Sequence, residues 1–263
     1  MKSFLKWAGG KYRLVDKLKP HFPSGKRFVE PFLGAGSISL NVNYQDYILN
    51  DLNSDIINFW RTLQQEERDF IERCKLHFRS EYNTKEQYYE IRKRFNLNRD
   101  PEDFLYLNRH CFNGLCRYNK DNKFNVPFGK YKDPYFPREE MEAALPMLRK
   151  AKIFNHDFRV IFDKIEKGDI VYCDPPYVPI SDTSSFTSYS SGGFSMVQQQ
   201  SLTDCAWAAR KRGAIVVLSN QDTPVTRNLY KGAEIFELEV QRNISCKGNS
   251  RKKVKELIVV FKE

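Results

Sequence analysis

The chain lacks the features of several protein classes. It contains no apolar run of about 18 residues that could span a membrane, and residues 1–6 lack the apolar core of a signal peptide. The six cysteines form no Cys-x-x-Cys pair, and with four histidines no zinc-binding spacing occurs. These absences predict a cytoplasmic protein that keeps its thiols reduced and binds no metal.

Positive charge is in excess. The 263 residues include 43 Lys and Arg against 33 Asp and Glu, which gives a net charge of +10. Such an excess suits a polyanionic partner such as nucleic acid, although many basic proteins bind nothing charged. The length fits one α/β domain with a sizeable insertion.

An unusual motif, Asp174-Pro175-Pro176-Tyr177, directly follows the apolar run 170–173. Proline fixes its own φ and cannot donate to a sheet, so the turn is stiff and the strand ends there. The loop offers a carboxylate, carbonyl oxygens and a ring at the carboxyl end of a strand, where ligands bind in open α/β sheets. These groups could hold an exocyclic amino group while its ring stacks on Tyr177. A proline-rich turn with a chance acid is the alternative.

A glycine turn indicates a second half of the site. A strand at 27–32, the turn Gly34-Ala35-Gly36, a helix-like segment at 37–42 and a strand at 46–51 predict a doubly wound unit. Glycine lets a ligand approach the backbone, and Asp51 could accept hydrogen bonds from both hydroxyls of a ribose. Because Gly-x-Gly-x-x-Gly is absent, a nucleoside cofactor without phosphates is favoured. A plain turn and a helix N-cap at Asp51 remain alternatives.

The N-terminal segment 4–11 adds two candidates. Lys11 could meet a carboxylate, and Trp7 could offer a π surface to a sulfonium or a ring. A surface lysine and an ordinary turn are the alternatives.

The remaining pattern predicts a sheet domain interrupted by a helical insert. From about residue 54 to residue 145 the pattern is helical, and a further helix is expected at 196–212. Further strands are expected at 152–155, 170–173, 214–219, 234–240 and 256–261.

Two basic segments are candidates for contact with nucleic acid. Residues 84–138 hold 12 Lys or Arg, 7 Asp or Glu and 12 aromatic residues. Basic groups neutralise phosphates and rings stack on bases, although most of these rings could form the insert's own core. Residues 242–255 hold six basic residues and no acid, which suits a phosphate-tracking hairpin or a solvated loop.

With these motifs in order, the chain resembles the Dam-type DNA adenine-N6 methyltransferases over nearly its whole length. The resemblance rests on residues 4–11, 28–36, 50–53, 113–119, 124–129, 172–177 and 251–254. It implies S-adenosylmethionine as methyl donor, a Rossmann-like seven-stranded sheet whose last strand is antiparallel, and the duplex site GATC. The expected catalytic domain comprises residues 1–54 and 146–263, and the expected DNA target-recognition domain comprises residues 55–145. A cytoplasmic monomer is expected.

The resemblance also implies roles for individual residues. The expected donor-binding residues are Trp7, Lys11, Phe32, Gly34, Gly36, Asp51, Asp157, Phe158 and Asp174. Toward DNA, Lys6 is expected to reach a guanine, Arg117 to fork to another guanine, Phe112 to wedge into the duplex and Asn113 to hold a phosphate. Further expected DNA contacts are Leu115, Pro127, Tyr131, Arg242, Arg251 and Lys252.

The expected mechanism begins by swinging an adenine out of the duplex. Asp174 and the Pro175 carbonyl would then each accept a hydrogen bond from one N–H of its amino group, and Tyr177 would stack on the ring. Two alternatives remain open: an RNA or protein-amide methyltransferase on the same scaffold, and a DNA-binding module that has lost catalysis. A role in epigenetic marking linked to DNA replication, in restriction–modification or in a phage is not distinguished.

Overall fold

Seven strands form one mixed sheet in the computed structural model, which describes residues 1–177, 194–241 and 253–262. The strands are β1 (Arg27–Glu30), β2 (Asp46–Asn50), β3 (Ala151–Phe154), β4 (Ile170–Cys173), β5 (Ile215–Gln221), β6 (Glu234–Gln241) and β7 (Lys253–Phe261). Their order in the sheet is β3-β2-β1-β4-β5-β7-β6. The last strand is antiparallel to both of its neighbours, which confirms the expected seven-stranded α/β sheet.

Eight α-helices accompany the sheet within the described residues. They are α1 (Val15–Leu18), α2 (Ser54–Leu76), α3 (Lys85–Asn98), α4 (Pro101–His110), α5 (Arg138–Leu148), α6 (Phe158–Phe162), α7 (Met196–Lys211) and α8 (Pro224–Leu229). None of them combines the length and apolarity needed to cross a membrane.

The chain divides into two compact units: residues 1–17 with 33–155, and residues 18–32 with 156–263. The first unit pairs β2 with β3 in parallel and contains α2 to α5. The second unit contains β1, β4, β5, β6 and β7. The boundaries of these units differ from those of the two functional domains expected above, and that functional division stays a prediction.

Helix α2 organises the first unit. The Asn53 side chain caps it by accepting hydrogen bonds from two backbone N–H groups of the first turn. Its buried face carries Phe59 and Trp60, and both rings pack against Phe4 at centroid distances of 5.6 and 4.6 Å. The N-terminal segment is thereby fixed on this helix.

Buried parallel pairing organises the second unit. Strand β4 pairs with β1 on one side and with β5 on the other, and all four of its residues are buried. At the start of the strands, Arg27 forms a bidentate ion pair with buried Asp169 at 2.9 and 2.6 Å. The carboxyl end of β4 carries Asp174.

One expected helix is largely absent. Residues 37–42 form only a 3₁₀ turn, Ser39–Asn41. The Asn41 side chain donates to the Ser37 carbonyl at 2.9 Å and to the Met1 carbonyl at 2.8 Å. Such a side-chain bond takes a carbonyl that a continuing helix would use, so the helix ends early.

We expect Asn53→Ala to lower the free energy of unfolding by about 1 kcal/mol, because α2 loses the acceptor that caps its first turn. Urea denaturation measures this change. Asn53→Asp keeps a side-chain oxygen and should stay near the parent, so equal stability of all three proteins would contradict the capping role.

Candidate functional site

The glycine turn after β1 is built around the Asp51 carboxylate. Asp51 accepts from the Gly34 N–H at 2.8 Å and from the Asn53 N–H at 2.9 Å. Asn155 donates to the Asp51 carbonyl at 2.8 Å, which fixes the chain just after β2. Burial raises the pKa of Asp51. Since Asn53 is the cap of α2, Asp51 is not the N-cap that the sequence left as an alternative.

Two indole rings flank this turn. A Cβ added at Gly34 would lie 2.9 Å from Trp7 Nε1, and one added at Gly36 would lie 2.8 Å from Trp60 Cζ2. Both glycines have positive φ, +48° and +64°. The sequence therefore needs glycine at both positions for the backbone conformation and for the close approach of the rings.

Lys11 is buried in the same N-terminal segment as Trp7. Its side chain is 6% exposed, and Nζ donates to the Gly9 carbonyl at 3.3 Å. A shallow cleft of about 160 Å³ lies along this segment, lined by Lys2, Ser3, Leu5, Trp7, Gly10, Tyr12, Ala35 and Ser37. The first unit thus brings together Trp7, Gly34, Gly36 and Asp51 of the expected donor site, and it also contains Lys11.

Three phenylalanine rings form a cluster in the second unit. Phe32 packs against Phe158 at 5.5 Å and against Phe194 at 5.6 Å, and Phe158 contacts Phe194 at 5.6 Å. Phe32 and Phe158 were expected beside the donor, whereas Phe194 was not singled out. Its only sequence signal is an aromatic residue just before the capping serine of α7.

Asp157 has a structural task at the start of α6. Its carboxylate accepts from the Arg159 N–H at 3.0 Å and pairs with the Arg159 guanidinium at 2.7 and 2.9 Å. Arg159 lowers the pKa of Asp157. The expected donor contact of Asp157 stays a prediction, and it would have to share this carboxylate with the cap and the ion pair.

The Asp-Pro-Pro-Tyr motif begins directly where β4 ends. The Ser219 hydroxyl donates to Asp174 Oδ1 at 3.3 Å and lies 2.7 Å from the Tyr172 hydroxyl. Gln199 Nε2 donates to the Pro176 carbonyl at 3.2 Å. Neither Ser219 nor Gln199 was singled out from the sequence, and the signal for Ser219 is a polar residue closing the apolar run of β5.

Residues 110–131 form an irregular hairpin inside the segment 54–145, whose sequence pattern predicts helices. Isolated bridges join Cys111 to Phe128 and Tyr118 to Phe124. The Phe112 N–H donates to the Pro127 carbonyl at 2.8 Å, and the Asn125 N–H donates to the Arg117 carbonyl at 3.1 Å. The sequence of this segment gives no strand pattern, because the pairing depends on only a few backbone hydrogen bonds. We call residues 110–131 the recognition hairpin.

Lys6 contacts both α4 and the recognition hairpin. Buried Asn108 accepts from the Lys6 N–H and donates to the Lys6 carbonyl, both at 2.8 Å. Lys6 Nζ lies 4.1 Å from the centroid of the Tyr131 ring, a cation–π distance. Burial and the neighbouring Arg109 lower the pKa of Lys6. A Cβ at Gly114 would overlap the Lys6 side chain, so this glycine is required by close packing.

Five more residues that were expected to contact DNA lie on the two arms of the recognition hairpin. Arg117 is exposed, and its Nε donates to Asn125 Oδ1 at 2.9 Å. Phe112 is 50% exposed despite its size, and Asn113 beside it has φ +55°. Leu115 is partly buried and Pro127 is exposed. Asn108 and Asn125 were not singled out, since isolated asparagines in mixed segments carry little signal.

The comparisons with known proteins decide the family. The family model of the D12 class N6 adenine-specific DNA methyltransferases matches residues 7–244. The chain belongs to this family. It is an enzyme that methylates adenine in DNA, as the sequence predicted, rather than an RNA or protein-amide methyltransferase or a silent binding module.

Curated relatives of this DNA adenine methyltransferase match over the full length. The DNA adenine methylase of Vibrio cholerae is 45% identical, covering 99% of this chain and 96% of that protein. Those of Serratia marcescens and Escherichia coli K12 are 44% and 42% identical, each covering 99% of this chain and 98% and 95% of the relative. The match to the solved structure of a precorrin-6y C5,15-methyltransferase from Geobacter metallireducens covers 95% of this chain and 88% of that one, at 8% identity and a TM-score of 0.41.

Family membership implies a methyl donor and a DNA substrate for this methyltransferase. Within the described ranges, no group of three or more His, Cys, Asp or Glu side chains could hold a metal ion. Arg242, Arg251 and Lys252, expected to contact DNA, lie outside the described residues. The individual roles of the other site residues stay predictions.

We expect Gly34→Ala to weaken binding of the methyl donor at least tenfold, because its Cβ would displace Trp7 from the turn. Calorimetric titration with S-adenosylmethionine measures this. Gly168→Ala is the matched control, since Gly168 also has positive φ (+83°) but nothing lies within 4 Å of its Cβ position. Equal affinity of the two variants would contradict the role of the contact with Trp7.

Proposed function

We propose that this DNA adenine methyltransferase transfers the methyl group of S-adenosylmethionine to N6 of an adenine flipped out of duplex GATC. The observation that carries the proposal is the acidic, donor-poor turn at the end of buried β4, where Asp174 is held by Ser219. The aromatic and basic recognition hairpin supplies the argument for the duplex.

The first unit has the chemistry to hold a nucleoside without phosphates. Each Asp51 oxygen accepts one backbone N–H, and a carboxylate oxygen can accept a second bond, here from a ribose hydroxyl. Gly34 and Gly36 let the indole rings of Trp7 and Trp60 lie directly against the turn, where a Cβ would clash with them. Lys11 could neutralise the carboxylate of an amino-acid moiety. When bound, S-adenosylmethionine supplies an electrophilic methyl group.

The Asp-Pro-Pro-Tyr turn would activate the acceptor. The exocyclic nitrogen of adenine is a poor nucleophile because its lone pair is delocalised into the ring. Asp174 and the Pro175 carbonyl would each accept a hydrogen bond from one N–H of the amino group. These two hydrogen bonds would draw the nitrogen toward tetrahedral geometry and localise that lone pair. Tyr177 would stack on the base, so positioning and electrostatics carry the acceleration.

The recognition hairpin would supply the duplex contacts. Extruding a base costs a few kcal/mol of stacking and pairing, which a ring inserted in its place can offset. Phe112 is the exposed ring available on the hairpin for this purpose. Arg117 has its Nε engaged by Asn125, and the two terminal nitrogens remain in a plane suited to guanine O6 and N7.

The place of action follows from the substrate. We infer that the enzyme works in the cytoplasm, on DNA, as a monomer. The five cysteines of the described residues are free thiols, which agrees with a reducing compartment.

We expect expression in a host lacking adenine methylation to make plasmid GATC sites resistant to an endonuclease that cuts only unmethylated GATC. Asp174→Ala should leave these sites fully cleavable. It should still shift duplex DNA in a native gel as the parent does, because the substitution removes a hydrogen-bond acceptor for the adenine amino group and leaves the recognition hairpin unchanged. Asp204→Ala, an exposed acid of α7, serves as control. Methylation by Asp174→Ala would overturn the mechanism, and unmodified GATC with adenine methylated elsewhere would overturn the specificity.

We expect Arg117→Ala to reduce discrimination between GATC and sites altered at the contacted guanine by about 1–3 kcal/mol. Asn125→Ala should produce a smaller loss in the same direction, because it only frees the guanidinium. Methylation rates on matched oligonucleotides measure both. A uniform fall on all oligonucleotides would instead assign Arg117 to the phosphate backbone.

A further inference from the structure

The two central residues of the catalytic turn, residues 174–177, offer no backbone donor. Pro175 and Pro176 have no N–H, so neighbouring segments can hold this stretch of backbone only through its carbonyl oxygens. One of those oxygens, that of Pro175, is assigned above to the amino group of the substrate. The Pro176 carbonyl and the Asp174 side chain are two points at which neighbouring side chains hold this turn.

Ser219 and Asn220, two consecutive residues near the end of β5, are connected to the Asp174 carboxylate and to the Pro176 carbonyl. Successive side chains of a strand point to opposite faces of the sheet, so Ser219 and Asn220 serve different partners. Ser219 contacts Asp174 and Tyr172, as described above. Asn220 donates to Gln199 Oε1 at 3.1 Å and to the Tyr230 hydroxyl at 2.7 Å.

Gln199 connects Asn220 to the catalytic turn. Its Nε2 donates to the Pro176 carbonyl, while its Oε1 accepts from Asn220 and, at 3.4 Å, from the Tyr230 hydroxyl. Gln199, Asn220 and Tyr230 are 2%, 1% and 0% exposed. We call these three residues the amide network.

The amide network leaves little choice of orientation. Asn220 Oδ1 accepts the Gln221 N–H at 2.8 Å, so the Asn220 amide must direct its Nδ2 toward Gln199 and Tyr230. That fixes Gln199 with Oε1 toward Asn220 and its donor toward Pro176. Burial raises the pKa of Tyr230, so its hydroxyl keeps the proton that it donates. A buried network with satisfied groups holds one geometry.

We propose that Ser219 and the amide network are positioning residues for methyl transfer, which fix the Asp174 carboxylate and the Pro176 carbonyl from the two faces of β5. The catalytic turn then meets the acceptor with its geometry already set. This inference rests on the proposed role of Asp174 and Pro175 in holding the adenine amino group.

The test is a single-turnover measurement on the full-length enzyme with a GATC duplex and S-adenosylmethionine. Gln199→Met keeps the length of the side chain and removes its hydrogen bonds. We expect the rate of methyl transfer to fall about tenfold, because small displacements of a reacting geometry are costly, while the dissociation constants for donor and duplex change less than about twofold.

Gln200→Met is the matched control. Gln200 is the next residue of α7, is exposed, and its side chain contacts Asp204 on the same helix. This variant should transfer methyl at the parent rate. Gln199→Glu keeps an acceptor for Asn220 but lacks the amide donor to Pro176, and it should be as slow as Gln199→Met.

Tyr230→Phe and Ser219→Ala complete the test. Tyr230→Phe removes one hydroxyl, should fold even where Gln199→Met does not, and should slow transfer by a smaller factor. Combined with Gln199→Met it should add little, because both act through one network. Ser219→Ala should slow transfer with unchanged affinity for donor and duplex.

Three results would overturn the proposal: parent rates in both Gln199→Met and Tyr230→Phe, a parent rate in Ser219→Ala, or equal losses in affinity and rate. If Asp174→Ala is inactive and these results appear, only the positioning role fails. If Asp174→Ala itself methylates DNA, the proposed role of the motif fails with it.

Discussion

A buried polar group must find a partner, and this requirement governs the whole site. Strand β4 is buried along its length, and the two prolines that follow Asp174 have no N–H, so side chains of β5 and α7 supply partners for the turn. The same requirement explains Asp51, whose carboxylate collects the N–H groups of the glycine turn. In both places the carboxyl end of a strand is made rigid before any ligand arrives.

The strands could be predicted because buried parallel strands read as short apolar runs between turn residues. Residues 170–173 were placed correctly for this reason. The helix predicted at 37–42 is largely absent, because the Asn41 side chain donates to the Ser37 carbonyl that the backbone of a continuing helix would use. The recognition hairpin was not predicted, because its two isolated bridges lack the alternating pattern of longer strands.

The residues placed in the site by sequence are those at strand ends and glycine turns, where chain geometry limits the alternatives. Gln199, Asn108 and Asn125 escaped notice because an amide in a mixed segment has no periodic signature. Their roles depend on contacts with residues far along the chain; Gln199 and Pro176, for example, are 23 positions apart. The sequence likewise does not tell which aromatic residues of the insert are buried: Tyr88 and Phe104 are buried, whereas Phe112 is exposed.

The N-terminal segment carries Lys6, which is held against Asn108 and Tyr131, and Trp7, which lies against Gly34. Adjacent residues of one short stretch thus touch the recognition hairpin and the glycine turn. If DNA displaces Lys6, the peptide bond transmits part of that displacement to Trp7. Thermodynamic linkage then requires reciprocity: whatever factor DNA imposes on the affinity for the methyl donor, the donor imposes on the affinity for DNA.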